Sequence, residues 1–130
     1  MSAPLFRKID CLRIPVRDLD AALGFYRDRL GHALNWRSGV AAGLSMPDTD
    51  AELVLYTDGE HTETDLLVED VASAVARFAG AGGTVVLPPF DIAIGKCALV
   101  RDPFDNVLVL LDLTKGRLQT DRDGNVTGVG

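Results

Sequence analysis

Ile14-Pro15-Val16-Arg17-Asp18-Leu19-Asp20-Ala21-Ala22-Leu23 returns later in the chain as Leu66-Leu67-Val68-Glu69-Asp70-Val71-Ala72-Ser73-Ala74-Val75. Each copy runs from an apolar strand end through an acidic residue into an Ala-rich amphipathic stretch, and the match extends from Tyr26 to Phe78. A period of roughly fifty residues is too long for a helical-hairpin repeat, and two copies are too few for a solenoid. The repeat indicates a duplicated half-domain, and equivalent residues of the two copies are expected to surround one shared site.

Working outward, each copy reads as βαβββ. In the first, Leu12, Ile14 and Val16 alternate with Cys11, Arg13 and Pro15, the period of a half-buried strand. Asp18 is placed to cap a helix whose apolar stripe is Leu19, Ala22, Leu23, Tyr26 and Leu30, closed by Gly31. Strands are expected over 33–37, 41–46 and 52–57. In the second copy the strand is 65–68, Asp70 caps, and Val71, Ala74, Val75 and Phe78 form the stripe. Strands are expected over 84–87, 96–100 and 107–112, the last apolar on both faces and therefore central. Module one spans about 7–57 and module two about 63–113, together a single domain over 1–113. A polar tail, 114–130, is either a loose hairpin around Asp123-Gly124 or frayed. The fold class is α+β: two βαβββ modules forming a curled eight-stranded mixed sheet, a cup, with the helices on its convex face.

A chain of 130 residues, 47% hydrophobic and 25% charged, has the composition of a soluble globular domain with a sizeable core. A net charge of -6 without Lys or Arg clusters argues against nucleic acid and against a membrane surface as partners. There is neither an apolar run of spanning length nor a secretory leader, and Cys11 and Cys97 sit in strand-like runs as buried thiols, so a cytoplasmic location is expected.

Val16-Arg17-Asp18-Leu19-Asp20, Phe25-Tyr26-Arg27-Asp28-Arg29-Leu30-Gly31, Val68-Glu69-Asp70-Val71 and Asp102-Pro103-Phe104-Asp105-Asn106 occur in this order. Together they resemble the vicinal oxygen chelate superfamily, the group of glyoxalase I, bleomycin-resistance proteins and extradiol dioxygenases, over about residues 7–113. The last stretch is similar to the family's Asp-Pro-x-Gly-Asn turn, with Asp105 in place of glycine. The resemblance implies a cup that commonly holds a divalent metal, and a homodimer formed side by side or by module exchange. It also implies ligand positions on the first and last strands of each module. The first-strand ligand, usually His, falls on Cys11 and Glu63. The last-strand ligand, usually Glu, falls on Val109 in the second module and on Glu52, or with a one-residue shift Leu53, in the first. Valine offers no lone pair, and a Cys–Glu remainder departs from the ligand sets of iron, nickel or zinc centres. No metal site and no cofactor are therefore expected, with nickel, zinc, iron or manganese as the alternative.

Strand parity places Cys11 and Arg13 on one face, so that Arg13 points into the cup, to hold an anionic group or to pair with Glu52 or Glu63. Glu52 and Glu63 are the candidate acid and base. His32 is expected at the surface and His61 in the loop between modules. Trp36 is core or stacking platform, and Tyr56 shares the face of Glu52. Phe90 and Ile92, in the Leu87-Pro88-Pro89-Phe90-Asp91-Ile92-Ala93-Ile94-Gly95 loop, are expected to close over the cup mouth. Asp121-Arg122-Asp123-Gly124-Asn125 lacks the carboxylates of a calcium loop. Two functions follow. One is a metal-free small-molecule binder of the bleomycin-resistance kind, with Cys11, Arg13, Trp36, Tyr56, Phe90, Ile92 and Val109 around the ligand. The other is a glyoxalase-like lyase or isomerase, or a dioxygenase, working through Glu52 and Glu63 with a metal.

Overall fold

The computed structural model describes residues 3–130. The chain forms two compact units. One comprises Asp10–Glu63 with Leu118–Gly128; the other comprises residues 3–9, Thr64–Arg117 and Val129–Gly130. Each contains one βαβββ module, which makes the fold α+β.

In the first module the elements are β1 (Lys8–Pro15), α1 (Leu19–Leu23), β2 (Leu34–Arg37), β3 (Ala41–Met46) and β4 (Thr49–Tyr56). The strand order is β2-β3-β4-β1, with β1 parallel to β4 and the remaining pairs antiparallel, so the sheet is mixed. Asp18 caps α1 by accepting from the Ala21 N–H at 3.1 Å. The apolar stripe departs from expectation at its end. Residues Gly24–Arg29 form a π-helical turn, in which the Leu30 N–H reaches back to the Phe25 carbonyl. The wider turn rotates the following residues off the stripe. Tyr26 still packs with Leu19, Leu23, Ala42, Leu44, Leu53 and Leu55, whereas Leu30 is 51% exposed. Leu23, Leu44 and Leu55 are fully buried there, each contributing about 2 kcal/mol of apolar burial. His32 is not at the surface as expected; it is half-buried, with Nδ1 3.0 Å from the Ser45 carbonyl.

The second module contains β5 (Glu63–Leu67), α2 (Val71–Gly80), β6 (Thr84–Ile92), β7 (Gly95–Arg101) and β8 (Val107–Leu111) in the order β5-β8-β7-β6. β8 lies between β5, to which it is parallel, and β7, to which it is antiparallel, the central place its apolar composition indicates. Val71, Ala74 and Val75 of α2 pack on Val68, Ala98, Val100 and Leu110, and Leu5 and Phe78 border the cluster. The expected loop over 87–95 is instead mostly strand. β6 continues through Pro88 and Pro89 and pairs with β7 as far as Ile92 opposite Gly95, with register shifts flanking Leu87. β6 ends this module's strand order, and a strand lacking a neighbour on one side tolerates proline, whose missing N–H would otherwise break a ladder.

Two turns share one construction. The Asp102 carboxylate accepts from the N–H groups of Phe104 and Asn106 at 2.8 and 2.9 Å, and that of Asp121 from Asp123 and Asn125 at 2.9 and 3.0 Å. The fourth residue is left-handed in both, Asp105 at φ 69° and Gly124 at φ 86°. Asp121 is thus committed to its turn. That turn joins β9 (Leu118–Thr120) to β10 (Val126–Val129), so the tail is a hairpin, and the Arg37 N–H donates to the Gly124 carbonyl at 2.7 Å.

At the end of β8, the buried Asp112 carboxylate accepts from the N–H of Val71 at 2.8 Å, the N–H of Lys96 at 2.9 Å and the hydroxyl of Thr114 at 2.8 Å. Burial opposes its ionisation, but the Val71, Lys96 and Thr114 donors outweigh burial and hold the carboxyl below the usual range. Replacing Asp112 by Asn should cost about 2–3 kcal/mol in urea unfolding at pH 7, because an amide offers these donors one acceptor and adds a competing donor. An aspartate whose folded pKa is depressed contributes fully above its unfolded value of about 4 and loses that contribution as pH falls through the lower folded value. The stability difference between parent and D112N should therefore be flat from neutral pH down to about 5 and shrink below about 4.

Candidate functional site

In the first module, Cys11, Ala41, Val54 and Tyr56 are buried on the face opposite α1, with Trp36 packed against them. Cys11 lies opposite Glu52 in the β1–β4 register. This is the parity that the alternation of β1 requires: Ile14 packs with the α1 cluster, and Cys11 and Arg13 take the other side.

Glu52 is held by two neutral donors. The indole N–H of Trp36 reaches Oε1 at 2.9 Å, and the side-chain amide of Asn35 reaches Oε2 at 2.8 Å. Neighbouring strand residues ordinarily point to opposite faces, yet Asn35 and Trp36 converge on one carboxylate. The register shift between Leu34 and Trp36 in the β2–β3 ladder marks the local break in alternation. Asn35 carries no signal in the sequence for this reason. Trp36 lies across Gly43, where a Cβ would sit 2.1 Å from the indole nitrogen. Leu53 belongs to the α1 cluster, which leaves Glu52 as the residue on the open face.

Arg13 pairs with Glu63, Nε to Oε2 at 3.4 Å, and its guanidinium carbon stands 4.5 Å from the centroid of the Tyr56 ring. The side chains of Arg13 and Glu63 are 25% and 35% exposed, so the pair is partly screened and of modest worth. The Tyr56 hydroxyl donates to the backbone carbonyl of His61, whose residue is otherwise exposed. Burial, reinforced by the Glu63 charge and opposed by Arg13, raises the Tyr56 pKa above its ordinary value. Of the expected group, the structure joins Cys11, Trp36 and Tyr56 in one cluster, Glu52 to Trp36, and Arg13 to both Tyr56 and Glu63; Val54 joins the cluster as well.

In the second module, Val109 and Leu111 are buried on the face opposite α2, with Cys97 paired to Leu111. Phe90 pairs with Cys97 on that face and is 40% exposed; Ile92 is half-buried at the end of the hairpin. The Val16 N–H donates to the Tyr56 carbonyl and the Val68 N–H to the Leu111 carbonyl, both at 2.9 Å. These matching bonds make Tyr56 the counterpart of Leu111, so the first-module residue equivalent to Val109 is Val54, not Glu52 or Leu53 as expected, and Glu52 is the counterpart of Val107.

Among the described residues, no three His, Cys, Asp or Glu side chains gather as a metal-binding group. Val109 has no lone pair, Glu52 accepts from Trp36 and Asn35, and Glu63 is paired with Arg13. These residues do not fit the divalent centre that the resemblance implies.

Paired βαβββ modules, each with a helix on one sheet face and a mixed polar and apolar surface on the other, define a vicinal oxygen chelate protein. The chain belongs to the Glyoxalase/Bleomycin resistance protein/Dioxygenase superfamily, which it matches over residues 8–110. Similar solved structures include methylmalonyl-CoA epimerase from Mycobacterium tuberculosis, at 20% identity and TM-score 0.71 over 86% of this chain and 91% of that one. The Streptomyces coelicolor methylmalonyl-CoA epimerase is 23% identical with TM-score 0.67, over 82% and 97%. The Mn(II)-bound glyoxalase from Novosphingobium aromaticivorans is 16% identical with TM-score 0.60, over 97% of this chain and 42% of that one. At these identities the likeness is one of fold. Comparison with curated proteins gives no match. No helix among the described residues is long and apolar enough to cross a membrane.

The contact between Trp36 and Gly43 is directly testable, since Trp36 is the sole tryptophan. Gly43→Ala should push the indole off β3, shift its emission to longer wavelength and destabilise the protein by about 1–3 kcal/mol. Unchanged emission together with unchanged stability would contradict the packing.

Proposed function

We propose that this chain is a metal-free, small-molecule binding member of its superfamily, which holds its ligand against the open faces of the sheet. The observation that carries the proposal is the state of the residues at the family's ligand positions. Val54 and Val109, at equivalent points of the two last strands, have no lone pair to donate, and Glu63 is held by Arg13. What remains is a half-buried surface of aromatic and apolar side chains with a few fixed polar groups, the usual make-up of a small-ligand site. Cys11, Arg13, Trp36 and Tyr56 form it in the first module; in the second, Val109, Phe90 and Ile92 form such a surface of their own.

The second reading, a glyoxalase-like lyase or isomerase, is favoured by the two hydrogen bonds that fix Glu52 in place, as a proton-transferring group requires. Elemental mass spectrometry separates the two. Protein purified without chelator and then offered nickel, zinc, iron and manganese should retain only traces after desalting. Retention near one equivalent of any of them would overturn the metal-free reading and direct attention to turnover by Glu52→Gln and Glu63→Gln variants.

A further inference from the structure

Arg13, Glu63 and Glu52, on the first module's open face, differ in how they are compensated. Arg13 and Glu63 face each other, and the guanidinium rests on the Tyr56 ring, so this pair cancels internally. Glu52 is different. Its two partners are the neutral N–H groups of Trp36 and Asn35, and among the described residues no Lys or Arg pairs with it. A carboxylate oxygen has two acceptor directions, and here one donor occupies each oxygen. Glu52 is therefore immobilised and still able to accept on both oxygens.

From this geometry, and resting on the binding role proposed above, we infer that Glu52 anchors the protonated amine of an organic cation whose apolar body lies along the Trp36 indole. The indole N–H points at the carboxylate, which therefore lies at the edge of the ring, so an amine bound to Glu52 stands at that edge with its apolar body against the indole. Asn35 is the positioning residue, fixing the second oxygen so that the carboxylate does not turn to follow the ligand. The same arrangement discriminates. A ligand carboxylate would meet the Glu52 charge at close range, and to reach Arg13 it would have to displace Glu63. The chain's net charge of -6 adds a long-range bias toward cations.

Three probes of matched shape test this: benzylammonium, benzyl alcohol and benzoate, titrated at low ionic strength and followed by the emission of Trp36. Benzylammonium should respond at about threefold lower concentration than benzyl alcohol, the effect of one partly exposed ion pair. Benzoate should be weaker than the alcohol. Glu52→Gln, which keeps one acceptor for the indole, should bring benzylammonium to the level of the alcohol measured on the same variant. Added salt should weaken only the benzylammonium response of the parent protein, a check that needs no variant. Equal responses to the three probes, or a preference for benzoate, would overturn the anchoring role of Glu52 while leaving the binding role standing. No response to any probe at tens of millimolar would overturn both.

Discussion

The buried carboxylate of Asp112 is the constraint on which the second module turns. It receives the first free amide of α2, the amide that opens β7 and the hydroxyl of the segment leaving β8. One side chain thereby fixes where the helix starts relative to two strands. The apolar cluster of Val71, Ala74, Val75, Val100 and Leu110 follows from that placement, because the helix can then present only one stripe to the sheet. Nothing in the sequence distinguishes Asp112 from other acidic residues at strand ends. Its role depends on chain segments far apart in sequence meeting at one point.

The larger features were legible because they rest on periodicity. The duplicated strand–acid–helix pattern, the alternation of β1 and the doubly apolar β8 each report a local geometry that repeats, and each gave the right element. What escaped depends on local departures from regularity. The π-turn after Leu23 changes the helical period, so the stripe that reads through Leu30 actually stops at Tyr26. β6 reads as strand then loop because proline is a poor strand residue in general, while a position at the end of the strand order relaxes that rule.

The site shows the same division. Facing could be read from parity, and parity put Cys11, Arg13, Glu52 and Tyr56 together. Pairing could not. Arg13 had two acidic partners open to it; in the structure it pairs with Glu63, while Glu52 accepts from Trp36 and Asn35. The part played by Asn35 needs a register break that no alternation predicts. Trp36 packs over a glycine on β3, the core role expected of it, and adds a hydrogen bond to Glu52 that the sequence did not indicate.

The two compact units do not follow the boundary of the repeat. Residues 3–9 cluster with the second βαβββ module: Leu5 borders its core, the Arg7 N–H donates to the Leu67 carbonyl, and Arg77 binds the Ala3 carbonyl at 2.7 Å. Conversely, the Leu118–Gly128 hairpin clusters with the first module, tied to Arg37. The two halves have thus exchanged their ends. A polypeptide cut in the loop near Gly59 would give one piece without its hairpin and another without its leading segment, so neither is a self-sufficient descendant of a single ancestral unit. Mixed in solution, the pieces hold complementary ends, the condition for reassembly from fragments.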